Sequence, residues 1–227
     1  MKRWDVINWF VETFGYRSYL EIGCRRDDCF RRVKCEHKIG VDPREGGTHR
    51  MTSDEFFESN LWISGSSAVT EFDVVFIDGL HHDEQVLRDS ENSLRCLSPN
   101  GVILIHDCLP ETEESTRIVD ANGKPILSPP DSKPWNGNVY RAMIEIRKLR
   151  DVDSITLTED WGIGVVVKRE NSQRLSSDQP GHWPAYEAYR ERLLRTADWE
   201  LVQQWAKDRL TTCSATASGE SSRPKPR

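Results

Sequence analysis

The chain has 227 residues, 37% hydrophobic and 30% charged, with a formal net charge of −6. That composition suits a soluble globular protein with a sizeable core, and it argues against a disordered chain. The longest apolar runs, such as Val74-Val75-Phe76-Ile77 and Val102-Ile103-Leu104-Ile105, are far too short to span a bilayer, and an acidic chain without a basic block is a poor partner for nucleic acid. Met1-Lys2-Arg3-Trp4-Asp5 leads into a mixed polar segment unlike a signal peptide. Cysteines stand at 24, 29, 35, 96, 108 and 213 with no CxxC, so free thiols in a cytoplasmic setting are expected.

Apolar positions at Trp4, Ile7, Phe10, Val11 and Phe14 give residues 4–14 a helical period. Tyr19-Leu20-Glu21-Ile22-Gly23 reads as a first strand, the charged segment 25–34 as a helix, and Lys38-Ile39-Gly40-Val41-Asp42 as a second strand. A weak strand is expected near 48–51, followed by a short helix capped by Ser53. Residues 71–78 form the strongest strand pattern, apolar enough to be buried on both faces. A helix over 83–97, a turn at 98–101 and a buried strand over 102–105 ending in His106-Asp107 come next.

The segment 110–134 contains Pro110, Pro125, Pro129, Pro130 and Pro134, and a loop of this length is a candidate substrate lid. A helix then carries Val139, Met143, Ile146 and Leu149. Segments 154–158 and 162–168 pattern as a hairpin. Tyr186, Tyr189, Leu193, Ala197, Leu201 and Trp205 predict one long amphipathic helix over 184–209, suited to core packing or a homodimer contact. The Ser/Thr/Pro/Lys/Arg-rich tail 211–227 patterns as disordered, leaving 1–210 as a single domain. Strands alternating with helices predict an α/β, doubly wound, mostly parallel sheet with helices on both faces.

In such a sheet ligands bind outside the carboxyl ends of the strands. Those ends carry Glu21 and Gly23, Asp42, Asp78 followed by His81, and His106-Asp107. Gly23 lets backbone approach a ligand closely, and Asp42 lies about 20 residues beyond it, the spacing at which an acid takes ribose hydroxyls. Gly23 is followed by Cys24-Arg25-Arg26-Asp27-Asp28 rather than a GxGxxG pattern, which disfavours a pyrophosphate but leaves a nucleoside without phosphates open.

Three motifs carry a resemblance: Tyr19-Leu20-Glu21-Ile22-Gly23, Ile39-Gly40-Val41-Asp42-Pro43, and Phe76-Ile77-Asp78-Gly79-Leu80-His81 continuing through Asp89 to His106-Asp107. Together with Asn136-Gly137-Asn138-Val139 and Asp160-Trp161-Gly162-Ile163-Gly164-Val165, they resemble the class I S-adenosylmethionine-dependent methyltransferases, and more narrowly the macrocin-type sugar and natural-product O-methyltransferases. The resemblance implies a Rossmann-like seven-stranded sheet with one antiparallel strand, S-adenosylmethionine as cofactor and a small-molecule acceptor. It implies that Glu21 and Gly23 face the methionine part, that Asp42 takes the ribose, and that Ser53 and Asp54 flank the adenine, with Asp78 beside the cofactor. It implies a divalent metal, Mg or Mn, held by Asp78, His106 and Asp107, with His81 as general base and Asp107 in the catalytic group.

A sugar hydroxyl is a poor nucleophile at neutral pH, and a histidine is suited to take its proton. Two departures stand out. Asp27 and Asp28 occupy positions where related sequences carry glycine, and His106 replaces a carboxylate, giving a donor set better suited to Mn²⁺, Fe²⁺ or Zn²⁺ than to Mg²⁺. The competing readings are a non-catalytic binding module on the same fold and a metal-dependent sugar-modifying enzyme.

Overall fold

The computed structural model describes residues 1–59, 70–127, 134–171 and 173–211. In chain order these form α1 (Arg3–Phe14), β1 (Ser18–Ile22), β2 (His37–Val41), α2 (Ser53–Ser59), β3 (Phe72–Ile77), α3 (Asp83–Cys96) and β4 (Leu97–Ile105). A 3₁₀ turn (Glu114–Thr116), α4 (Val139–Ile146), β5 (Asp153–Leu157), β6 (Ile163–Val167), α5 (Trp183–Leu194), β7 (Thr196–Ala197) and α6 (Trp199–Leu210) follow. The strands build one sheet in the order β2-β1-β3-β4-β6-β5-β7. β6 runs antiparallel to β4 and β5, while the other pairings are parallel. This is the doubly wound α/β sheet with one reversed strand that the sequence predicts.

Strand side chains alternate between two cores, as a period of two requires. Leu20, Ile22, Val75, Ile77, Ile103 and Ile105 pack with Val86 of α3, Tyr140 of α4 and Tyr186 of α5. Tyr19, Val74, Phe76, Val102 and Leu104 pack on the other face with Val6, Ile7 and Phe10 of α1 and Val202 and Trp205 of α6. No helix among the described residues is long and apolar enough to cross a membrane. Cys24, Cys29, Cys35, Cys96 and Cys108 are buried free thiols, and Cys213 lies outside the described residues.

Several local expectations are corrected. Residues 25–34 are turns, not a helix: Arg25 (φ 47°) and Asp27 (φ 62°) are left-handed. A side-chain acceptor competes for the backbone at their start, with Asp42 Oδ2 taking the Arg25 amide at 2.8 Å, while Asp27 Oδ1 is turned away to accept from the Gly47 amide at 2.7 Å. The strand expected at 48–51 shrinks to a single bridge between Val41 and His49. Thr52, not Ser53, caps α2, since its Oγ1 accepts from the Glu55 amide while Glu55 returns a bond to the Thr52 amide. Residues 98–101 belong to β4, which opens at Leu97 opposite Phe72 and shifts register before Val102 meets Val74.

The helix expected over 184–209 is two helices. Arg195 (φ 52°) turns left-handed, β7 adds to β5, and Asp198 restarts the helix by accepting from the Leu201 amide at 2.9 Å. Tyr189 and Leu201 are 57% and 59% exposed, so the apolar stripe is not one continuous face. The predicted disordered tail falls, beyond Thr211, outside the described residues, as do 128–133 of the proline-rich segment.

Gly23 is the tightest junction at the sheet's carboxyl edge. Its φ is +91°, and a Cβ there would lie 2.1 Å from the Asp78 carbonyl oxygen. Gly23→Ala combines left-handed strain with a backbone overlap and is expected to destabilise the fold by about 2–5 kcal/mol. Urea denaturation checks this: an unchanged midpoint would mean that β1 and β3 need not approach so closely.

Candidate active site

β3 and β4 end side by side, and the ladder runs one residue further on each. The Asp78 amide donates to the Ile22 carbonyl at 2.8 Å and the His106 amide to the Ile77 carbonyl at 3.0 Å. Asp78 and His106 therefore emerge together at the carboxyl edge. Asp107 (φ 60°) turns the chain sharply, and Asp160 (φ 47°) does the same between β5 and β6. These turns complete a cluster of three carboxylates drawn from distant parts of the chain.

His106 Nδ1 lies 3.0 Å from Asp107 Oδ2 and 3.3 Å from Asp78 Oδ1, while its Nε2 lies 3.6 Å from Asp160 Oδ2. His81 stands opposite, with Nε2 3.4 Å from Asp78 Oδ1 and Nδ1 3.5 Å from Asp107 Oδ2. Arg3, the first residue of α1, closes the cluster. Its guanidinium Nη1 donates to Asp78 Oδ2, its Nε lies 3.3 Å from Asp160 Oδ2, and its backbone amide donates to the same oxygen at 2.8 Å. Lys2 Nζ adds a contact to Asp160 Oδ1 at 3.2 Å.

The segment 135–138 fixes His81 from outside. Trp135 stacks on the imidazole at 4.8 Å between centroids and 16° between planes. Its indole N–H is anchored on the Arg117 carbonyl at 2.7 Å. Asn138 donates its amide to the His81 carbonyl at 3.1 Å. Gly137 (φ +59°) permits this approach, because a Cβ there would lie 1.9 Å from that carbonyl oxygen. Asn136 Nδ2 donates to Asp107 Oδ1 at 2.8 Å.

The charges follow from this arrangement. Burial alone would raise the Asp78 carboxyl, but the His106 charge and hydrogen bond, then His81 and Arg3, hold it well below the usual carboxylate range. Burial opposes charge on His106, yet Asp78 and Asp107 push it well above the ordinary histidine value. His81 is raised against burial by its Asp78 hydrogen bond and the Asp107 charge. Asp160 is lowered against burial by His106 and Arg3.

Other predicted residues occupy neighbouring positions. Glu21 is buried, and its carboxylate accepts from the Tyr19 hydroxyl. Burial lifts it from an ordinary value near 4.5 to about 8, with the Tyr19 bond opposing and the Asp78 charge adding. Both oxygens of Asp42 serve backbone, with Oδ2 on Arg25 N and Oδ1 on Arg44 N and Glu45 N at 2.8 and 3.0 Å. The departure at Asp27 is absorbed locally, since its carboxylate binds the Gly47 amide, and Asp28 is exposed beside Arg32. Ser53 and Asp54 do not join the Asp78 cluster; they meet Gln85 Nε2 at 3.2 and 3.1 Å, together with buried Asp89.

Asp78, His81 and Asp107 each offer one donor atom, all within 4.8 Å of one another, a spacing a metal ion could bridge. His106 instead stands beside them as a positive partner of two carboxylates, and Arg3 already occupies Asp78 Oδ2. With these cations seated, a divalent metal does not fit the cluster as arranged. Arg3, Asp160 and Asn136 have no role at this site on sequence, and Trp135 only that of a lid residue beside the 110–134 loop. Asp160 and Asn136 sat inside motifs whose chemistry was unread, and Arg3 has no local signal beyond starting a helix. A cavity of about 330 Å³ opens beside Asp160, lined by Lys2, Leu109, Glu111, Thr158 and Trp161.

Residues 35–108 match the profile of a family described as a methyltransferase domain, a stretch running from just before β2 to just past β4. The fold is shared with an O-methyltransferase from Bacillus cereus in complex with SAH, at 16% identity and a TM-score of 0.51 over 73% of this chain and 80% of that one. It is shared with cofactor-bound Rv0187 from MTB at 14% identity and a TM-score of 0.50, over 74% and 80%. The O-methyltransferase TomG from Streptomyces achromogenes, in complex with SAM, aligns at 13% identity and 0.47 over 74% and 79%. No curated protein sequence matches the chain significantly. The matched segment is thus similar to a methyltransferase domain, and the fold is one shared with a solved O-methyltransferase.

Because the native pKa of Glu21 is raised, the folded state holds a proton that the unfolded chain releases. Its contribution to stability is fully present below its ordinary value and is lost as pH rises toward about 8. Glu21→Gln keeps an acceptor for Tyr19 and removes this loss, so the variant should gain stability over wild type at about pH 8 compared with about pH 5. Chemical denaturation at both pH values checks it; parallel curves would mean that Glu21 is ionised in the native state.

Proposed function

We propose that this chain is an S-adenosylmethionine-dependent methyltransferase acting on a hydroxyl of a small molecule, with His81 as general base. The observation that carries the reading is His81 held between Asp78 and Asp107 at the carboxyl ends of β3 and β4, its ring plane fixed by Trp135. The sequence motifs favour a sugar or glycosylated natural product, in the manner of macrocin-type enzymes. The cavity beside Asp160 supports an acceptor of that kind: it mixes polar groups with the partly exposed face of Trp161, on which a ring can stack.

S-adenosylmethionine supplies a methyl group on a sulfonium, already electrophilic. The chain's residues then have two tasks. Glu21 and Gly23, with Asp78 at the junction, would face the methionine part of the cofactor, Asp42 would offer its remaining oxygen lone pairs to the ribose, and Ser53 and Asp54, which meet Gln85, would flank the adenine. His81 would take the acceptor's hydroxyl proton as the new oxygen–methyl bond forms and the sulfur–methyl bond breaks. Asp78 and Asp107 favour the imidazolium this creates, and clamping by Trp135 and Asn138 reduces the cost of aligning the base. No step is assigned to a metal.

Calorimetric titration with S-adenosylmethionine and S-adenosylhomocysteine tests the cofactor, with micromolar binding expected and absence of binding fatal to the reading. Asp42→Ala is expected to weaken that binding by roughly tenfold or more, the scale of a lost charge-assisted hydrogen bond. His81→Ala should cut turnover by about 10²–10⁴-fold while leaving cofactor affinity nearly intact. Near-normal turnover in that variant would remove His81 from the base role.

A further inference from the structure

The turn between β5 and β6 holds three successive residues in left-handed conformations: Asp160 (φ 47°), Trp161 (φ 66°) and Gly162 (φ 87°). Glycine adopts this region freely, but a tryptophan there is an outlier that its surroundings must impose. The Leu109 amide donates to the Trp161 carbonyl at 2.8 Å, and the Cys108 amide to the Gly162 carbonyl at 3.0 Å. Asp160 is tied to the Arg3 amide and faces His106. Clamped from both sides, the turn leaves Trp161 39% exposed and outside both cores. Trp161 lines the cavity of about 330 Å³ together with Lys2, Leu109, Glu111, Thr158 and Asp160. The charges at this cavity are unevenly matched. Lys2 and Asp160 meet at 3.2 Å, and the Met1 amine meets Glu159 at 3.4 Å. The Glu111 carboxylate has no hydrogen-bond or ion-pair partner among the described residues.

We propose that this cavity is a subsite for a single ring bearing a protonated amine, such as an amino sugar, with the Trp161 indole under the ring and Glu111 on the ammonium. The face of an indole attracts a cation through its quadrupole, and a carboxylate adds a charge-assisted hydrogen bond. A neutral ring would use only the first of these and leave Glu111 to water. The volume lies near the lower end of the range for small-ligand pockets, roughly 300–1,000 Å³, which suits one ring rather than an extended chain. A strained and partly exposed tryptophan fits this role, because backbone strain persists where the surrounding structure holds a group for binding. As an acceptor subsite the cavity rests on the methyl-transfer reading, since Asp160 joins it to the cluster around His106. As an amine-binding site it does not need that reading.

The experiment is a saturation-transfer NMR titration of the full chain with the methyl glycosides of glucosamine, N-acetylglucosamine and glucose, at a pH that keeps the free amine protonated. The glucosaminide is expected to bind at least about fivefold more tightly than the two neutral probes. Glu111→Gln, at an exposed position, should bring all three within about twofold of one another, because only the cation-specific contact is lost. Glu113→Gln changes an exposed acid that does not line the cavity and should keep the preference. Trp161→Gly suits the left-handed turn and should abolish saturable binding of the glucosaminide, whereas Trp161→Phe keeps a ring and should retain most of it. Should Trp161→Gly not fold, the Glu111 and Glu113 pair decides alone. Equal affinity of wild type for charged and neutral probes, no saturable binding of the glucosaminide, or a preference that survives Glu111→Gln overturns the proposal. Calorimetry with S-adenosylmethionine is a separate readout, so the methyl-transfer reading can fail while the amine preference stands, and the reverse.

Discussion

The carboxyl edge of the sheet depends on one constraint: carboxylates taken out of water must be matched by cations. Asp78, Asp107 and Asp160 lie within reach of one another, and each meets a positive or hydrogen-bonding group. Removing one partner of such a buried pair typically costs about 3–5 kcal/mol, because the other charge is stranded. The positions of α1, His106 and the 135–138 segment follow from that need. Arg3 anchors α1 across the end of the sheet, and the apolar face of Val6, Ile7 and Phe10 packs behind it. Burial and charge pairing thus fix the same helix from two directions.

Backbone geometry serves the same end. Asp107 and Asp160 adopt left-handed conformations that few non-glycine residues favour, though short polar side chains tolerate them better than most. Each places its carboxylate on His106. Gly137 is glycine for a different reason, because its neighbour is the carbonyl of His81 and a side chain would occupy that space. Two of the left-handed non-glycine positions, Asp107 and Asp160, thus belong to the ring of residues around His106.

The sequence made the central strands legible because Val74–Ile77 and Val102–Ile105 are unbroken apolar runs, the first between Asp73 and Asp78 and the second between Gly101 and His106, and it brought Asp78, His81 and Asp107 forward because ligands gather at strand ends. It misled where one period continued across a break. The helical spacing from Tyr186 to Trp205 runs through β7, since a two-residue strand does not disturb a 3.6-residue count enough to show. It misled again at 25–34, where composition favoured a helix but Asp42 claimed the Arg25 amide and Arg25 and Asp27 turned left-handed. Arg3 and Asp160 could not be assigned at all, because their partners are 75 and 157 residues away and no local pattern encodes such a contact.

Two acids at the same edge end in opposite states, and the difference traces to their neighbours rather than to depth. Glu21 is nearly as inaccessible as any residue in the core, but the side chains that hydrogen-bond it, Tyr19 and Cys29, are neutral, so burial wins and the carboxyl rises to about 8. Asp78 is buried as well, but His106, His81 and Arg3 crowd its two oxygens, and the charged form wins. The Asp78 charge in turn helps keep Glu21 protonated. A positive group arriving between β1 and β3 would reverse that balance at Glu21, lowering its carboxyl and releasing its proton, while Asp78, already neutralised by its own side-chain partners, would change far less. The edge therefore holds one acid committed to the protein's own cations and one kept protonated by burial, a division that arises because α1 brings Arg3 to β3 and leaves Glu21 of β1 with the neutral side chains of Tyr19 and Cys29.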